Sequence, residues 1–241
     1  MGDFDKDAVK IAGMFDGIAR RYDLANHLLS GGVDFLWRRT AVSLSKPKTG
    51  DVVLDMCCGT GDLTFCFAAH SKASRVVGCD FSDQMIQLAR QKQRRLAEKG
   101  KFGDTKLEWK TADCTATEYE NAGYDIISCA FGVRNMADLD EGLKEMHRLL
   151  KTGGKVCIIE FTLPVNAVLR SMYLLYLRYI LPIFGGVITA KMSPFRYFAD
   201  SILKWDRQVD LAKSLEAAGL EKVTVKPLSK GIASIYVFEK I

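Results

Sequence analysis

The stretch VLDMCCGTGDLT, Val53 to Thr64, contains the transition that decides the fold. A short apolar run, Asp51 to Met56, leads directly into a Cys-Cys-Gly-Thr-Gly turn, and a helical pattern follows from about Leu63 to His70. A strand that enters a helix through a glycine turn directs backbone N–H groups and the helix N-terminus at a ligand. This stretch therefore predicts a ligand-binding loop at the end of a first parallel strand.

Beyond this loop, short apolar runs alternate with helical patterns. Continuously apolar strands separated by helices are typical of a parallel sheet covered on both faces, so the pattern predicts a doubly wound α/β fold. The last two strands are joined only by a turn at Pro227 to Gly231, and strands joined this way are antiparallel. The predicted strands are Asp51 to Met56, Arg75 to Cys79, Lys106 to Lys110, Tyr124 to Phe131, Lys155 to Phe161, Lys222 to Lys226 and Ile232 to Glu239.

Four segments make up one predicted domain. Residues 1–45 are interpreted as an N-terminal helical cap and residues 50–163 as the binding core. A helical insertion, residues 164–205, follows the fifth strand, and residues 206–241 form a C-terminal helix and the hairpin. In the core, Ser82 is the expected N-cap of a long polar helix, and a helix from Leu139 to Leu150 ends at Lys-Thr-Gly-Gly.

The first half of the insertion, Val165 to Thr189, is almost entirely apolar and long enough to span a bilayer. Two arginines, Arg170 and Arg178, would each cost about 2.5 to 3.5 kcal/mol at the bilayer centre. Pro182, with the Gly185 and Gly186 pair, is expected to break the helix. We therefore interpret the segment as a lid or a membrane-surface element.

Composition excludes several classes of protein. The 241 residues are 48% hydrophobic and 26% charged, which is typical of an ordinary globular domain and not of a disordered chain. The seven cysteines form no C-x-x-C pair and lie mostly in apolar runs. They predict reduced thiols in a cytoplasmic compartment, with neither a disulfide framework nor a metal site.

Acidic residues distinguish this glycine loop from one that binds a dinucleotide. The third glycine of G-x-G-x-x-G is replaced by Thr64, and Asp55 and Asp62 flank the loop. Carboxylates repel a pyrophosphate and attract a cation. S-adenosylmethionine (SAM) is a suitable ligand, because it carries an ammonium and a sulfonium and has no phosphate.

Two more acids follow the next two strands. Asp80 ends the second strand, 19 residues after Gly61, where a carboxylate accepts both ribose hydroxyls. Asp113 follows the third strand and is placed for the adenine amine. One strand-end aspartate alone is more often a helix cap. The ordered set, together with Gly59 and Gly61, predicts a SAM-binding domain.

Three further stretches carry a resemblance to a known family. They are MFDGIARRYDLANHLLSGGVDFLW from Met14 to Trp37, CAFGVRNMADLDEGLKEMHRLLKTGGKVCIIEF from Cys129 to Phe161, and PFRYFADSI from Pro194 to Ile202. With the glycine loop, the chain resembles the quinone C-methyltransferases that methylate a polyprenylated benzoquinol or naphthoquinol in ubiquinone and menaquinone synthesis.

The resemblance implies a class I SAM-dependent methyltransferase fold, Rossmann-like, and C-methylation of a polyprenyl quinol, with demethylmenaquinol favoured. It places cofactor contacts at Thr60, Asp80, Asp113, Cys114 and Ala130. A cytoplasmic enzyme peripherally associated with the membrane would fit such a substrate.

The loop after the fourth strand should lie beside the reacting methyl group, since ligands bind at the carboxyl ends of parallel strands. We hypothesise that Arg134 stabilises a developing phenolate and that Asn135 orients a quinol oxygen or a water. The alternative is that Arg134 pairs with a helix-end carboxylate such as Asp138. From the N-terminal signature, Tyr22 closes over the quinol head or fixes the cofactor, with core packing equally favoured; the neighbouring His27 is expected to be structural.

Several alternatives stay open. The rivals are a SAM methyltransferase of another small molecule or of RNA, and a non-catalytic lipid-binding member of a quinone-synthesis assembly. The segment from Val165 to Thr189 could be a tunnel wall, a membrane contact, buried core or a homodimer interface. The net charge of +5 places surplus basic residues on the helix from Gln84 to Lys101 and on the insertion, which favours an anionic membrane surface over nucleic acid.

Overall fold

The computed structural model describes residues 27–28, 30–190 and 192–241. Its helices are α1 Val33–Ser45, α2 Asp62–His70, α3 Asp83–Ala97, α4 Leu139–Leu149, α5 Ala167–Leu175, α6 Leu181–Thr189, α7 Ser193–Gln208 and α8 Leu211–Ala217. Its strands are β1 Val52–Met56, β2 Arg75–Asp80, β3 Lys106–Thr111, β4 Tyr124–Ala130, β5 Leu150–Phe161, β6 Leu220–Leu228 and β7 Ala233–Lys240.

All seven strands form one sheet in the order β3-β2-β1-β4-β5-β7-β6. The first five strands pair in parallel, and β7 lies antiparallel between β5 and β6. This confirms the predicted α/β class and the antiparallel hairpin at the end of the sheet. The strand order reverses between β1 and β4, so the loops after these two strands diverge and leave room for a ligand.

Both faces of the central strands are buried, as their continuous apolar runs predict. On β1, Val53 packs with α1 and α2 on one face, and the next residue, Leu54, packs with α4 and α8 on the other. Ile126 and Ile127 on β4 divide in the same way. Because successive side chains of a strand point to opposite faces, one apolar run supplies both cores.

Local capping agrees with the sequence in the core. The Ser82 hydroxyl accepts a hydrogen bond from the Met85 N–H at 3.1 Å, which begins α3. Two boundaries differ from the predictions. β5 begins at Leu150, where that residue pairs with Tyr124, and not at Lys155. The predicted C-terminal helix after residue 206 begins only at Leu211, because Arg207 and Gln208 end α7 and the Asp210 side chain caps α8.

The insertion corrects one prediction. Pro182, Gly185 and Gly186 do not break the helix, which runs from Ala167 to Thr189 through a π-helical segment, Tyr176–Ile180. Pro182 is the second residue of α6, directly after this segment, and a missing N–H is tolerated in the first turn of a helix. A Cβ at Gly185 would lie 2.4 Å from the Phe195 ring, so this glycine permits the close approach of α7.

Candidate active site

The glycine loop lies at the carboxyl end of β1 and has an unusual backbone. Cys57, Gly59 and Gly61 have positive φ angles of 53°, 56° and 88°. A Cβ on Gly61 would lie 2.4 Å from a ring carbon of Trp109, so both the backbone conformation and the neighbouring indole require glycine there. The loop is therefore held in one shape before any ligand arrives.

Asp55 lies beneath this loop and is almost completely buried. Its carboxylate accepts hydrogen bonds from the Thr64 hydroxyl at 2.6 Å and the Ser128 hydroxyl at 2.7 Å. Burial raises the pKa of Asp55 to about 7, although both hydroxyls favour the ionised form. The side chain joins β1, α2 and β4, so it supports the loop, and its predicted contact with the cofactor stays a prediction.

Asp80 connects the end of β2 to the glycine loop. Its Oδ2 accepts the Gly59 N–H at 2.8 Å, and its Oδ1 accepts the Ser82 N–H at 2.9 Å. A carboxylate oxygen has two lone pairs and can accept more than one hydrogen bond. The predicted ribose-binding acid is thus placed against the predicted loop.

Asp113 and Cys114 follow β3. Asp113 is exposed, and its Oδ1 accepts the Thr115 N–H at 2.8 Å. Cys114 is buried, and its sulfur accepts the Cys57 N–H at 3.3 Å. Hydrogen bonds from the Cys57 and Cys79 thiols hold the pKa of Cys114 well below its ordinary value. The contact with Cys57 joins the loops after β1 and β3.

This arrangement fits SAM. Asp55 near the end of β1, Asp80 at the end of β2 and Asp113 after β3 lie along one edge of the sheet, beside a loop whose conformation requires glycine. The carboxylates suit the ammonium, the ribose hydroxyls and the adenine amine. Thr60 lies buried within the loop and Ala130 lies half-buried at the end of β4. Asp62 points elsewhere, because Lys92, Arg38 and His27 form ion pairs with it.

A cavity of about 380 Å³ lies beside this edge, at the carboxyl ends of β4 and β5. Phe131, which follows β4, has a positive φ of 60° that is uncommon for a bulky residue. The walls are mostly apolar and include Trp37, Phe131, Phe161, Tyr173, Phe195 and Phe198. The insertion therefore builds much of the wall, and strained backbone at Phe131 marks the junction with the cofactor edge.

Arg134 pairs with a carboxylate other than the expected Asp138. Its side chain is 2% exposed, and its Nη1 donates to Glu160 Oε1 at 2.8 Å and to the Phe131 carbonyl at 2.5 Å. Asp138, the predicted alternative partner, caps α4 instead. Among the described residues, Arg134 is not part of the cavity lining. The guanidinium thus forms an ion pair with the buried Glu160, and the phenolate contact of Arg134 stays a prediction.

Asn135 and Tyr22 have different outcomes. Asn135 Oδ1 accepts the Tyr197 hydroxyl at 3.3 Å, and among the described residues Asn135 also lies outside the cavity lining. Its role in orienting substrate stays a prediction. Tyr22 lies outside the described residues.

Sequence reasoning missed the polar end of the cavity, which is formed by Ser30, Asp34 and Arg38. Asp34 Oδ2 lies 2.7 Å from His27 Nδ1, and its Oδ1 accepts the Ser30 hydroxyl at 2.7 Å. These hydrogen bonds and Arg38 outweigh burial and lower the pKa of Asp34. The Asp34–Arg38 spacing of four residues on a helix was the available signal.

Comparisons with known proteins agree on the class. The ubiE/COQ5 methyltransferase family model matches residues 4–240. The ubiquinone/menaquinone biosynthesis C-methyltransferase UbiE of Geotalea uraniireducens is 37% identical over 232 residues, 96% of each chain. The demethylmenaquinone methyltransferase of Bacteroides fragilis is 32% identical over 237 residues, 98% of this chain and 94% of the other.

Two solved structures share the fold at low sequence identity. A SAM-dependent methyltransferase structure from Methanococcus maripaludis has a TM-score of 0.63 at 17% identity, covering 100% of this chain and 95% of the other. One from Aquifex aeolicus has a TM-score of 0.56 at 16% identity, covering 85% and 89%. These likenesses concern the fold alone.

Proposed function

The chain belongs to the ubiE/COQ5 methyltransferase family, and we propose that it transfers a methyl group from SAM to a ring carbon of a polyprenylated quinol, with demethylmenaquinol as the favoured acceptor. One observation carries the proposal. A mostly apolar cavity of about 380 Å³, with aromatic walls and with Ser30, Asp34 and Arg38 in its lining, lies beside the cofactor edge of the sheet. A quinol with an isoprenoid tail has the same division into a polar ring and an apolar chain.

The reaction requires little of the protein beyond the correct placement of the two reactants. When bound, SAM supplies an electrophilic methyl group on a sulfonium. The ring carbon of the quinol forms the new carbon–carbon bond while the methyl–sulfur bond breaks and leaves its electron pair on sulfur. The ring then loses the proton at that carbon, so that one proton is released in total. Orientation of the two reactants supplies much of the rate.

Two regions of the chain bind and orient the two reactants. The glycine loop, Asp80 and Asp113 hold the cofactor, and Asp55 keeps the loop in place from below. The aromatic walls exclude water from the acceptor ring, and exclusion of water strengthens every charge interaction inside the cavity. Phe131 belongs to both regions, because it directly follows β4 and lines the cavity.

Labelled SAM tests this proposal. The purified protein, SAM and demethylmenaquinol with a short tail are expected to give methylated quinol by mass spectrometry. Parallel reactions offer a demethylated benzoquinol and bulk RNA. Methylation of RNA, or SAM binding by thermal shift without methylation of either quinol, would refute the proposal. The second result would favour the non-catalytic lipid-binding alternative.

We also propose that the insertion lies on the surface of the membrane that holds the acceptor. By length and composition the helix from Ala167 to Thr189 could cross a bilayer, with 23 residues that rise about 34 Å. However, one side packs on the body of the protein through Tyr173, Leu177 and Leu181. A helix attached along one side favours an interfacial position over a span.

The opposite side of this helix supports a lipid contact. It carries exposed apolar side chains at helical spacing, namely Val168, Met172, Leu175, Tyr179, Ile183 and Val187. Large exposed apolar patches mark sites of protein or membrane contact. Arg178 is exposed beside them, while Arg170 lies 3.6 Å from Asp206 and is partly neutralised. Arg178 is therefore the better candidate for a lipid phosphate.

Vesicle flotation tests the membrane contact. The double variant Leu175→Glu/Val187→Glu, at two exposed residues outside the cavity lining, is expected to lose most of its binding to vesicles of phosphatidylglycerol and phosphatidylethanolamine. The control is Val223→Glu/Ile241→Glu, which places the same two charges on exposed residues outside this helix. Equal flotation of both variants, or a dimer in sedimentation that dissociates only in the Leu175→Glu/Val187→Glu variant, would favour a homodimer interface instead.

A further inference from the structure

Tyr173 is a buried tyrosine of α5 that lines the cavity. Its side chain is 7% exposed and belongs to the apolar cluster through which the insertion packs on the body of the protein, together with Leu177 and Leu181. Residues four apart lie on the same side of a helix, so the three side chains point inward together. Tyr173 therefore faces the interior of the protein and not the exposed apolar side of the insertion.

The Tyr173 hydroxyl lacks a partner in the part of the chain that the structure describes. It forms no hydrogen bond with any described residue. It is also not one of the fully enclosed unpaired atoms of that part, which are Arg38 Nε and the Tyr119 hydroxyl. The Tyr173 oxygen therefore retains accessible surface, and the space that this inward-facing side chain lines is the cavity. Buried hydroxyls are nearly always paired in native proteins, and an exception calls for an explanation such as a missing ligand.

Several other polar side chains of the lining are already used within the protein. The Ser30 hydroxyl donates to Asp34 Oδ1 at 2.7 Å, and Trp37 Nε1 donates to the Ser229 hydroxyl at 3.1 Å. Arg38 and Asp34 form an ion pair. The hydroxyl on α5 differs from these groups, because a bound molecule can use it without breaking a contact among the described residues.

Nearby charges place this hydroxyl toward the cofactor side of the cavity. Burial raises the pKa of Tyr173, and the charges of Arg134 and Glu160 also act on this pKa, in opposite directions. Arg134 follows β4 and Glu160 lies near the end of β5, with the Arg134 guanidinium against the Phe161 and Phe198 rings of the wall. Charge interactions weaken with distance, so the hydroxyl lies near the carboxyl ends of these two strands.

We propose that the Tyr173 hydroxyl donates a hydrogen bond to one ring oxygen of the acceptor and so orients the ring against the cofactor. The inference rests on the proposed function. A 1,4-quinol carries oxygens on two sides of its ring, and the cavity has polar groups on two elements, α5 and the segment from Ser30 to Arg38. The contact removes no proton from the ring. It contributes by holding the reacting carbon in line with the methyl group, and such orientation supplies rate.

Tyr173→Phe is the principal variant, because it removes the hydroxyl oxygen and keeps the ring in the wall. The protein is first saturated with S-adenosylhomocysteine, the product of the cofactor. We then expect the dissociation constant for short-tailed demethylmenaquinol to rise about 3- to 10-fold in anaerobic calorimetry, the effect of one hydrogen bond between neutral groups. Tm and the dissociation constant for SAM should stay unchanged, since no described residue bonds this oxygen. The control is Tyr124→Phe, on a 5% exposed tyrosine at the opposite end of β4.

Two analogues of the acceptor, each lacking one ring hydroxyl, identify the atom that Tyr173 contacts. The wild type and Tyr173→Phe should bind one analogue equally, because the contacted oxygen is absent from it. The variant should bind the other analogue about 3- to 10-fold more weakly than the wild type does, as it binds the quinol.

Three outcomes would overturn the inference. The first is equal affinity of the wild type and Tyr173→Phe for the quinol. The second is the same loss of affinity with the quinol and with both analogues, which would assign the hydroxyl to packing and not to a ring oxygen. The third is a Tm that falls in Tyr173→Phe and not in Tyr124→Phe, which would assign the hydroxyl to the fold. These outcomes are read against a wild type that methylates the quinol; if it methylates none, the proposed function fails first, and the inference fails with it.

Discussion

Removal of the Arg134 guanidinium tests whether this residue is structural. Arg134 and Glu160 are 2% and 0% exposed, and the ion pair spans 2.8 Å between β5 and the turn after β4. Arg134→Ala would leave Glu160 buried without a counter-charge, which typically costs about 3 to 5 kcal/mol. Burial raises the pKa of Glu160 more than Arg134 lowers it, so the ionised glutamate is poorly stabilised even when it is paired.

The expected loss of stability corresponds to a lower melting temperature, Tm. For a domain of this size, about 1 kcal/mol corresponds to a change of about 2 to 4 °C in Tm, so Arg134→Ala should melt about 6 to 20 °C below the wild type. Contacts of the guanidinium with the Phe161 and Phe198 rings, at 5.5 and 5.0 Å, place the loss toward the upper end. Urea unfolding followed by circular dichroism measures the free energy directly.

A double variant separates the charge from the packing. Arg134→Met with Glu160→Gln removes both charges and keeps most of the volume, so it should recover most of the stability that Arg134→Ala loses. Turnover per folded molecule should also recover if Arg134 never touches the acceptor. The reasoning is refuted if Arg134→Ala unfolds within about 1 kcal/mol of the wild type, or if the stable double variant is inactive with normal SAM binding.

Three further predictions concern the loop and the cavity. The pKa of Asp55 is raised to about 7, so this carboxyl destabilises the folded state increasingly as pH rises from about 4 to 7. In urea unfolding, the stability of Asp55→Asn relative to the wild type should therefore increase by about 1 to 3 kcal/mol between pH 5 and pH 8. A stability difference that is the same at both pH values would contradict this. Gly61→Ala should lower the free energy of unfolding by more than about 2 kcal/mol and weaken SAM binding. Gly103 also has a positive φ of 54° but no atom within 4 Å of an added Cβ, so Gly103→Ala should lower it by about 1 kcal/mol. Equal losses in thermal melts would exclude the steric cause. Leu169→Trp fills part of the cavity and should raise KM for the prenylated acceptor severalfold, whereas Val223→Trp, on a 47% exposed residue of β6, should leave KM unchanged in steady-state assays. A similar KM for both would remove Leu169 from the tail site.

Local sequence patterns were sufficient to predict the parallel sheet and the glycine loop. Each depends on residues that are close in the chain, such as the apolar run from Val53 and the turn that follows it. The antiparallel end of the sheet was also predictable, because a turn of a few residues leaves the chain no other direction.

Contacts across strands were not predictable in the same way. Ala130 pairs with Ile159 in the register of β4 and β5, which brings Glu160 beside Arg134 from 26 positions away. Only this register distinguishes Glu160 from the sequence neighbour Asp138 as the partner. The continuous helix through Pro182 was not predicted for a related reason. A single π-helical turn accommodates the proline, and the amino-acid composition does not indicate where such a turn forms.

The three tryptophans give this protein built-in optical probes. Trp37 lines the cavity, Trp109 lies against the glycine loop, and Trp205 is buried in the core between the sheet and α8. Replacing two of them with phenylalanine would leave one fluorophore at each location. Emission from Trp109 would then follow the cofactor, emission from Trp37 would follow the acceptor, and Trp205 would report only unfolding, so the order of binding could be read without a label.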